Sequence, residues 1–167
     1  SNSFPKAGGK NGECYHSLTF HVIFPHSGDT FLLAHSYPYT SLDNTLHIQS
    51  LLTTPATSRF IKKQVMCNTL HGNECSLLTI TDFATAAEEE KRGHRRKCIV
   101  ISARVHPGEP QASWMMKGVL EYLCSQSKTA RILRNTFCFK IVPMLNPAGV
   151  RLGNNRCGLS ACDLNRQ

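Results

Sequence analysis

A chain of 167 residues, 41% of them hydrophobic, suits a globular protein with a real core and has room for one domain or parts of two. No apolar run approaches the roughly 18 residues of a membrane span, and the polar start SNSFPKAGGKNGEC lacks the apolar stretch of a secretory signal. Nineteen Lys/Arg against eleven Asp/Glu leave a net charge of +8, which favours an acidic partner such as nucleic acid, phosphate or an acidic polypeptide.

Residues 1–14 read as a flexible tail. LTFHVIFP (18–25) and TFLLAHS (30–36) are rich in β-formers and flank the turn chemistry of PHSGD, so they predict a hairpin. Ser41 is a candidate N-cap for a helix over 41–52, where Leu42 pairs with Leu46 and Ile48 with Leu52. Two strands follow at 63–70 and 75–81, then a polar, charge-dense loop over 82–96. CIVIS (98–102) is continuously apolar, as a buried central strand should be. Apolar residues at 115, 116, 119, 120 and 123 predict a helix over 112–124, with a shorter one at 129–134 and a strand at 137–143. Residues 144–167 read as loop. The β-loop-α-α-β order predicts an α/β fold with crossovers.

Eight cysteines are present and none forms Cys-x-x-Cys, so a cysteine-zinc site is not expected. Cys98, Cys124 and Cys138 lie in apolar runs where cysteine acts as a small hydrophobe, and all eight are expected to be reduced. The basic run KRGHRRK (91–97) has no interleaved aromatics, so a single-strand stacking surface is not indicated and a solvated loop is favoured over a nucleic-acid contact.

Two His-x-x-Glu pairs compete for a metal: His71 with Glu74, and His106 with Glu109. Catalytic zinc needs ligands on a rigid frame, and in open α/β sheets that frame is the carboxyl end of a strand. His106 and Glu109 follow an apolar strand and precede a helix. Pro107 stiffens that loop, and Gly108 is expected to let the backbone bend sharply. His71 and Glu74 fall between two strands, where a Gly-Asn hairpin turn explains the residues without a metal. In some amidohydrolases a His-Gly-Asn-Glu zinc motif ends a strand and opens a helix, and no helix follows here.

Beyond that pair, SARVHPGEPQASWMMKG (102–118), FKIVPMLNPAGV (139–150), GNNRC (153–157) and DLNRQ (163–167) follow one another in order. Together they resemble the cytosolic branch of the zinc carboxypeptidases. The likeness extends upstream through FPHSGDTFLLAHSYPYTSL and CNTLHGNECSLLTIT, covering residues 15–167. The resemblance implies the amino-terminal part of a carboxypeptidase-type mixed sheet with flanking helices over 61–167, preceded by the end of a β-sandwich domain over 15–60. It implies a cytosolic peptidase with zinc as cofactor, His106 and Glu109 as two metal ligands, and Arg156 polarising the scissile carbonyl. Asn165 and Arg166 would grip the substrate's terminal carboxylate. A planar guanidinium suits both arginine roles. The implied substrate is an acidic, glutamate-rich tail, tubulin among them.

The resemblance also implies a third zinc ligand, a histidine, and a glutamate base, both beyond Gln167, and no histidine follows His106 here. The chain therefore reads as a truncated enzyme or as a non-catalytic fragment that binds acidic tails. Glu121, on the predicted helix, is not expected to replace the base. Two departures stand out: NPAG, with Ala148 where the family usually has Asp, and Cys162 where some members have an acidic residue. The first is expected to weaken a turn, the second to change the charge near the substrate loop.

Overall fold

Leu78 and Ile80 stand two residues apart in one strand, as do Phe139 and Ile141 in another, so each pair presents its side chains to one face, and all four are buried. The computed structural model describes residues 2–5 and 13–167. It places these residues in a four-stranded mixed sheet built from β3 (Ile61–Asn68), β4 (Glu74–Ile80), β5 (Lys97–Ser102) and β6 (Phe137–Val142). The spatial order is β3-β4-β6-β5, with β3/β4 and β4/β6 antiparallel and β5/β6 parallel. A separate antiparallel pair joins β1 (Asn2–Pro5) to β2 (Cys14–Ser17). The chain divides into two compact units, 1–34 and 35–167.

In the second unit, helices α1 (Ser41–Thr53) and α4 (Pro110–Cys124) supply Ile48, Leu51, Met116, Leu120, Leu123 and Cys124 to the core. Truncating any of the large aliphatic residues among them to Ala costs about 2–5 kcal/mol. The predicted stripes were only partly right. Ile48 and Leu51 are buried, whereas Leu42, Leu46 and Met115 are exposed. The cap of α1 is Thr40 rather than Ser41: Thr40 Oγ1 accepts from the Asp43 amide (3.1 Å) while Asp43 Oδ2 accepts from the Thr40 amide (2.7 Å), a reciprocal capping box. Helix α1 and the short α2 (Pro55–Ser58) both lie in the 35–167 unit.

Other elements depart from expectation for identifiable reasons. The hairpin predicted over 18–36 keeps its turn, with Gly28 at φ 72, but forms no strands. Leu18, Phe20, Ile23, Phe24, Phe31, Leu32 and Leu33 are all exposed, and a hairpin without a third strand or a covering face is marginal. Of the tail expected over 1–14, residues 1 and 6–12 lie outside the described residues, and Asn2–Pro5 is a strand.

The charged loop over 82–96 contains helix α3 (Phe83–Lys91), capped by Asp82, whose Oδ1 accepts from the Thr85 amide (3.2 Å). Its Ala/Glu-rich sequence has high helix propensity, and Arg96 grips Glu89 through two bonds, 2.8 and 3.1 Å. Arg96 also donates to the carbonyls of Asp82 (3.1 Å) and Arg134 (2.6 Å), so one cation of the basic run is structural. α5 (Lys128–Thr136) lies where a short helix was predicted. The supposedly irregular tail holds α6 (Pro147–Leu152), with Asn146 as cap, Pro147 opening the helix and Gly153 closing it at φ 74.

Strand β5 is an edge strand among the described residues, not a central one, and Val100 is 72% exposed. Its residues alternate between exposed and half-buried over 98–102, so the continuous apolar run does not mark a strand covered on both faces. Cys98 is likewise exposed, whereas burial pushes the thiols of Cys75 and Cys124 up to about 11. All eight cysteines are free thiols.

Candidate metal and substrate site

The carboxyl end of β5 is tied to the segment after β6. The amide of Ala103 donates to Val142 O (3.0 Å), and those of Leu145 and Asn146 donate to Ala103 O (2.9 Å) and Arg104 O (3.2 Å). The sharp turn is made at Arg104, whose φ of 55 lies in the left-handed region, not at Gly108 as expected. Gly108 is needed for close approach. Its amide donates to Asn155 O (2.6 Å), and a Cβ there would collide with the backbone and side chain of Asn155. Gly149 serves the same end, because a Cβ there would meet the ring of Pro107. The loop carrying 106–109 is thus clamped against residues 146–155.

That clamping brings His106 and Glu109 together. His106 is buried, its Nδ1 3.1 Å from Glu109 Oε1 and its Nε2 3.1 Å from Asp163 Oδ1. Asp163 also accepts from the Asn165 amide (2.9 Å) and from Arg156 Nε (2.7 Å). The Asn165 amide foremost, with Arg156 and His106, holds its carboxyl down at about 2, from an ordinary 3.8, against a smaller opposing effect of burial. Ionised Asp163 can only accept, and in the neutral tautomer that donates to it from Nε2 the His106 Nδ1 lone pair faces Glu109. A nitrogen lone pair and a carboxylate oxygen converging at 3.1 Å repel one another unless a proton or a cation lies between them. This donor set fits zinc, which takes imidazole nitrogen and carboxylate oxygen. Asp163 faces the opposite ring nitrogen, so it orients the histidine without adding a ligand. Among the described residues no group of three or more His, Cys, Asp and Glu is arranged to hold a metal ion.

The arginines divide. Arg156 joins the cluster through Asp163, whereas Arg166 Nη1 turns back to Asn165 O (2.8 Å) and both Asn165 and Arg166 are exposed. The turn that holds them is closed by the Arg166 amide on Asp163 O (3.0 Å). Glu121 lies away from this cluster, facing His47 (3.4 Å) and Lys117 (3.9 Å). The other His-x-x-Glu pair does not converge. His71 is exposed in the β3–β4 turn, which the Gly72 amide closes on Thr69 O (2.8 Å). Glu74 turns to Lys63 (2.8 Å) and Ser76 (2.7 Å).

Two site residues escaped the sequence reading. Asp163 lies inside DLNRQ, but nothing in that local sequence places it behind a histidine 57 residues away. Arg104 carried no signal, because nothing local marks a buried arginine. Ala148 is buried in α6, and the turn it was expected to weaken is capped by Asn146 Oδ1 on the Gly149 amide (3.0 Å). Cys162 Sγ approaches Ser160 O (3.4 Å) beside Asp163.

A family model described as zinc carboxypeptidase matches residues 49–167. Human cytosolic carboxypeptidase 4 is 49% identical over 96% of this chain, which spans 15% of that protein. Human cytosolic carboxypeptidase 1 is 48% identical over the whole chain, which spans 14% of it. Among solved structures, a metallo-carboxypeptidase from Burkholderia cenocepacia superposes with a TM-score of 0.66 at 29% identity, covering 77% of this chain and 33% of that one.

Proposed function

The chain belongs to the zinc carboxypeptidase family, and on that premise we propose that it carries the metal-side half of a site that hydrolyses C-terminal residues. The observation that carries this reading is the convergence of His106 Nδ1 and Glu109 Oε1, with Asp163 behind the ring. His106 and Glu109 would hold the zinc, which supplies Lewis-acid chemistry at the scissile carbonyl. Arg156, now paired with Asp163, would stabilise charge developing on that carbonyl oxygen. Asn165 and Arg166 would bind the terminal carboxylate, with the Arg166 side chain leaving its own backbone to do so. We assign acidic, glutamate-rich tails such as those of tubulin as the substrate, consistent with the +8 charge, and the cytosol as the location, in line with the names of the relatives.

The test is a double comparison in the full-length protein. Removing one partner of a desolvated charge pair costs roughly 2–5 kcal/mol, so Arg166→Ala should lower kcat/KM by about 30-fold or more. Amidating the peptide's terminal carboxylate should cost the wild type as much and the variant little. Losses that multiply would show that Arg166 does not bind the carboxylate. A second reading, binding of acidic tails without turnover, fits the isolated chain, since His106 and Glu109 are two donors where catalytic zinc takes three. Release of glutamate by the 167-residue chain alone, abolished by Glu109→Gln, would exclude that reading.

A further inference from the structure

Arg104 carries two costs at once. At φ 55 an L-residue gives up roughly 1–2 kcal/mol that glycine would not. Its guanidinium is also buried, the whole residue being 6% exposed, and its hydrogen bonds go to neutral oxygens: Pro107 O (2.9 Å), Ser113 Oγ (2.9 Å) and Tyr39 O (3.2 Å). Strain and a buried cation persist only where the surroundings hold them in place. What this side chain holds is the loop between the two donors. Ala103 and Arg104 are tied by their backbones to Leu145 and Asn146, and Gly108 is tied to Asn155. Pro107 has no N–H, so its carbonyl is its only backbone handle, and Arg104 Nε takes it. The same guanidinium reaches Ser113 in the first turn of α4 and the carbonyl of Tyr39 before α1. The Tyr39 ring packs edge-on against Trp114 of α4, 5.0 Å between centroids.

We propose that Arg104 is a positioning residue whose guanidinium locks the Pro107 peptide against α4 and the Tyr39 segment, and so sets the convergence of His106 with Glu109. Its importance for metal binding rests on the proposed function above. Its geometric role does not. A lysine keeps the charge but not the planar fork that spans three acceptors, and a glycine removes the fork while relieving the backbone.

The test follows the ring nitrogens of His106 by 15N NMR in the metal-free chain, at a pH where the ring is neutral. Wild type should show one tautomer, protonated on Nε2. Arg104→Gly and Arg104→Lys should both move those signals toward the average of two exchanging tautomers, while the amide signals of β3, β4 and the 69–73 turn stay in place. Zinc titrated against the same signals should need about tenfold more metal or higher in both variants, the scale on which partners behind a ligand act. A folded variant with wild-type ring signals would overturn the proposal. If Arg104→Gly does not fold, Arg104→Lys decides, and loss of the fold in both would make Arg104 a global stability residue instead. Wild-type ring signals that ignore zinc, beside variants with altered tautomers, would uphold the positioning role and remove the metal reading alone.

Discussion

The two His-x-x-Glu segments share a spacing and part company in everything around them. In 71–74 the turn joins adjacent antiparallel strands, so the chain reverses at once, His71 faces solvent and Glu74 pairs with a lysine on the neighbouring strand. In 106–109 the chain leaves a parallel strand for a helix and must cross the sheet end. There it meets residues 146–155 and 163 from the other side of the crossover. A hairpin turn sees only its own two strands. A strand-to-helix loop at the end of a parallel pair is packed by segments distant in sequence, and that packing aims two donors at one point. The spacing allows two donors to converge, and the topology brings them together.

The largest separation between the two should come from zinc itself. His106→Ala is expected to weaken zinc binding by about 100-fold or more, since even partners behind a ligand cost about 10–100-fold. His71→Ala should leave affinity within the error of the same competition assay. Equal losses from both would erase the distinction.

Glycine substitutions sharpen it through stability. Gly108→Ala drives a Cβ into Asn155 and should cost about 2–3 kcal/mol in urea denaturation, within the range for overpacking. Gly72→Ala meets nothing within 4 Å and pays only for its φ of 73, about 1 kcal/mol. A reversed order would mean that the 146–155 clamp yields.

The smallest contrast is electrostatic. Asp163 titrates at about 2 in the fold against an ordinary 3.8, so its contribution is complete above about pH 4 and is lost as pH falls through 2. Bonds to Lys63 first, then Ser76, lower the Glu74 carboxyl from 4.5, so its contribution is likewise present above 4.5 and lost on acidification. Because the Lys63–Glu74 pair is partly solvated, Glu74→Gln should cost no more than about 1 kcal/mol. Carboxyl 13C titration of both residues gives the order: Asp163 should be the last of the two to protonate.

How much was legible varied with how local the signal was. The strands expected at 63–70, 75–81, 98–102 and 137–143 and the helix expected at 112–124 rest on apolar runs and helical spacing, which neighbouring residues write directly, and they stand at 61–68, 74–80, 97–102, 137–142 and 110–124. α6 was missed although Asn146, Pro147 and Gly153 spell out its cap, opening and stop, because a loop-rich tail masked a six-residue helix. α3 was hidden by charge, which looks solvated until Arg96 folds back on Glu89. The hairpin over 18–36 failed in the other direction, since β-forming side chains need a covering face that those residues do not supply among themselves.

By itself the sequence determined the α/β class, the strand-loop-helix setting of His106 and Glu109, and the motif order that carries the family resemblance, all of which depend on spacing along the chain. Only the tertiary structure decided that Asp163 stands behind the His106 ring, that Arg156 joins it, that Gly108 serves close packing rather than a bend, and that a buried Arg104 takes the strained turn. Those facts depend on which distant segments share the sheet's carboxyl end. A contact 57 residues apart in sequence leaves no periodicity or local propensity behind it, because its energy arises only when the fold excludes water between the partners.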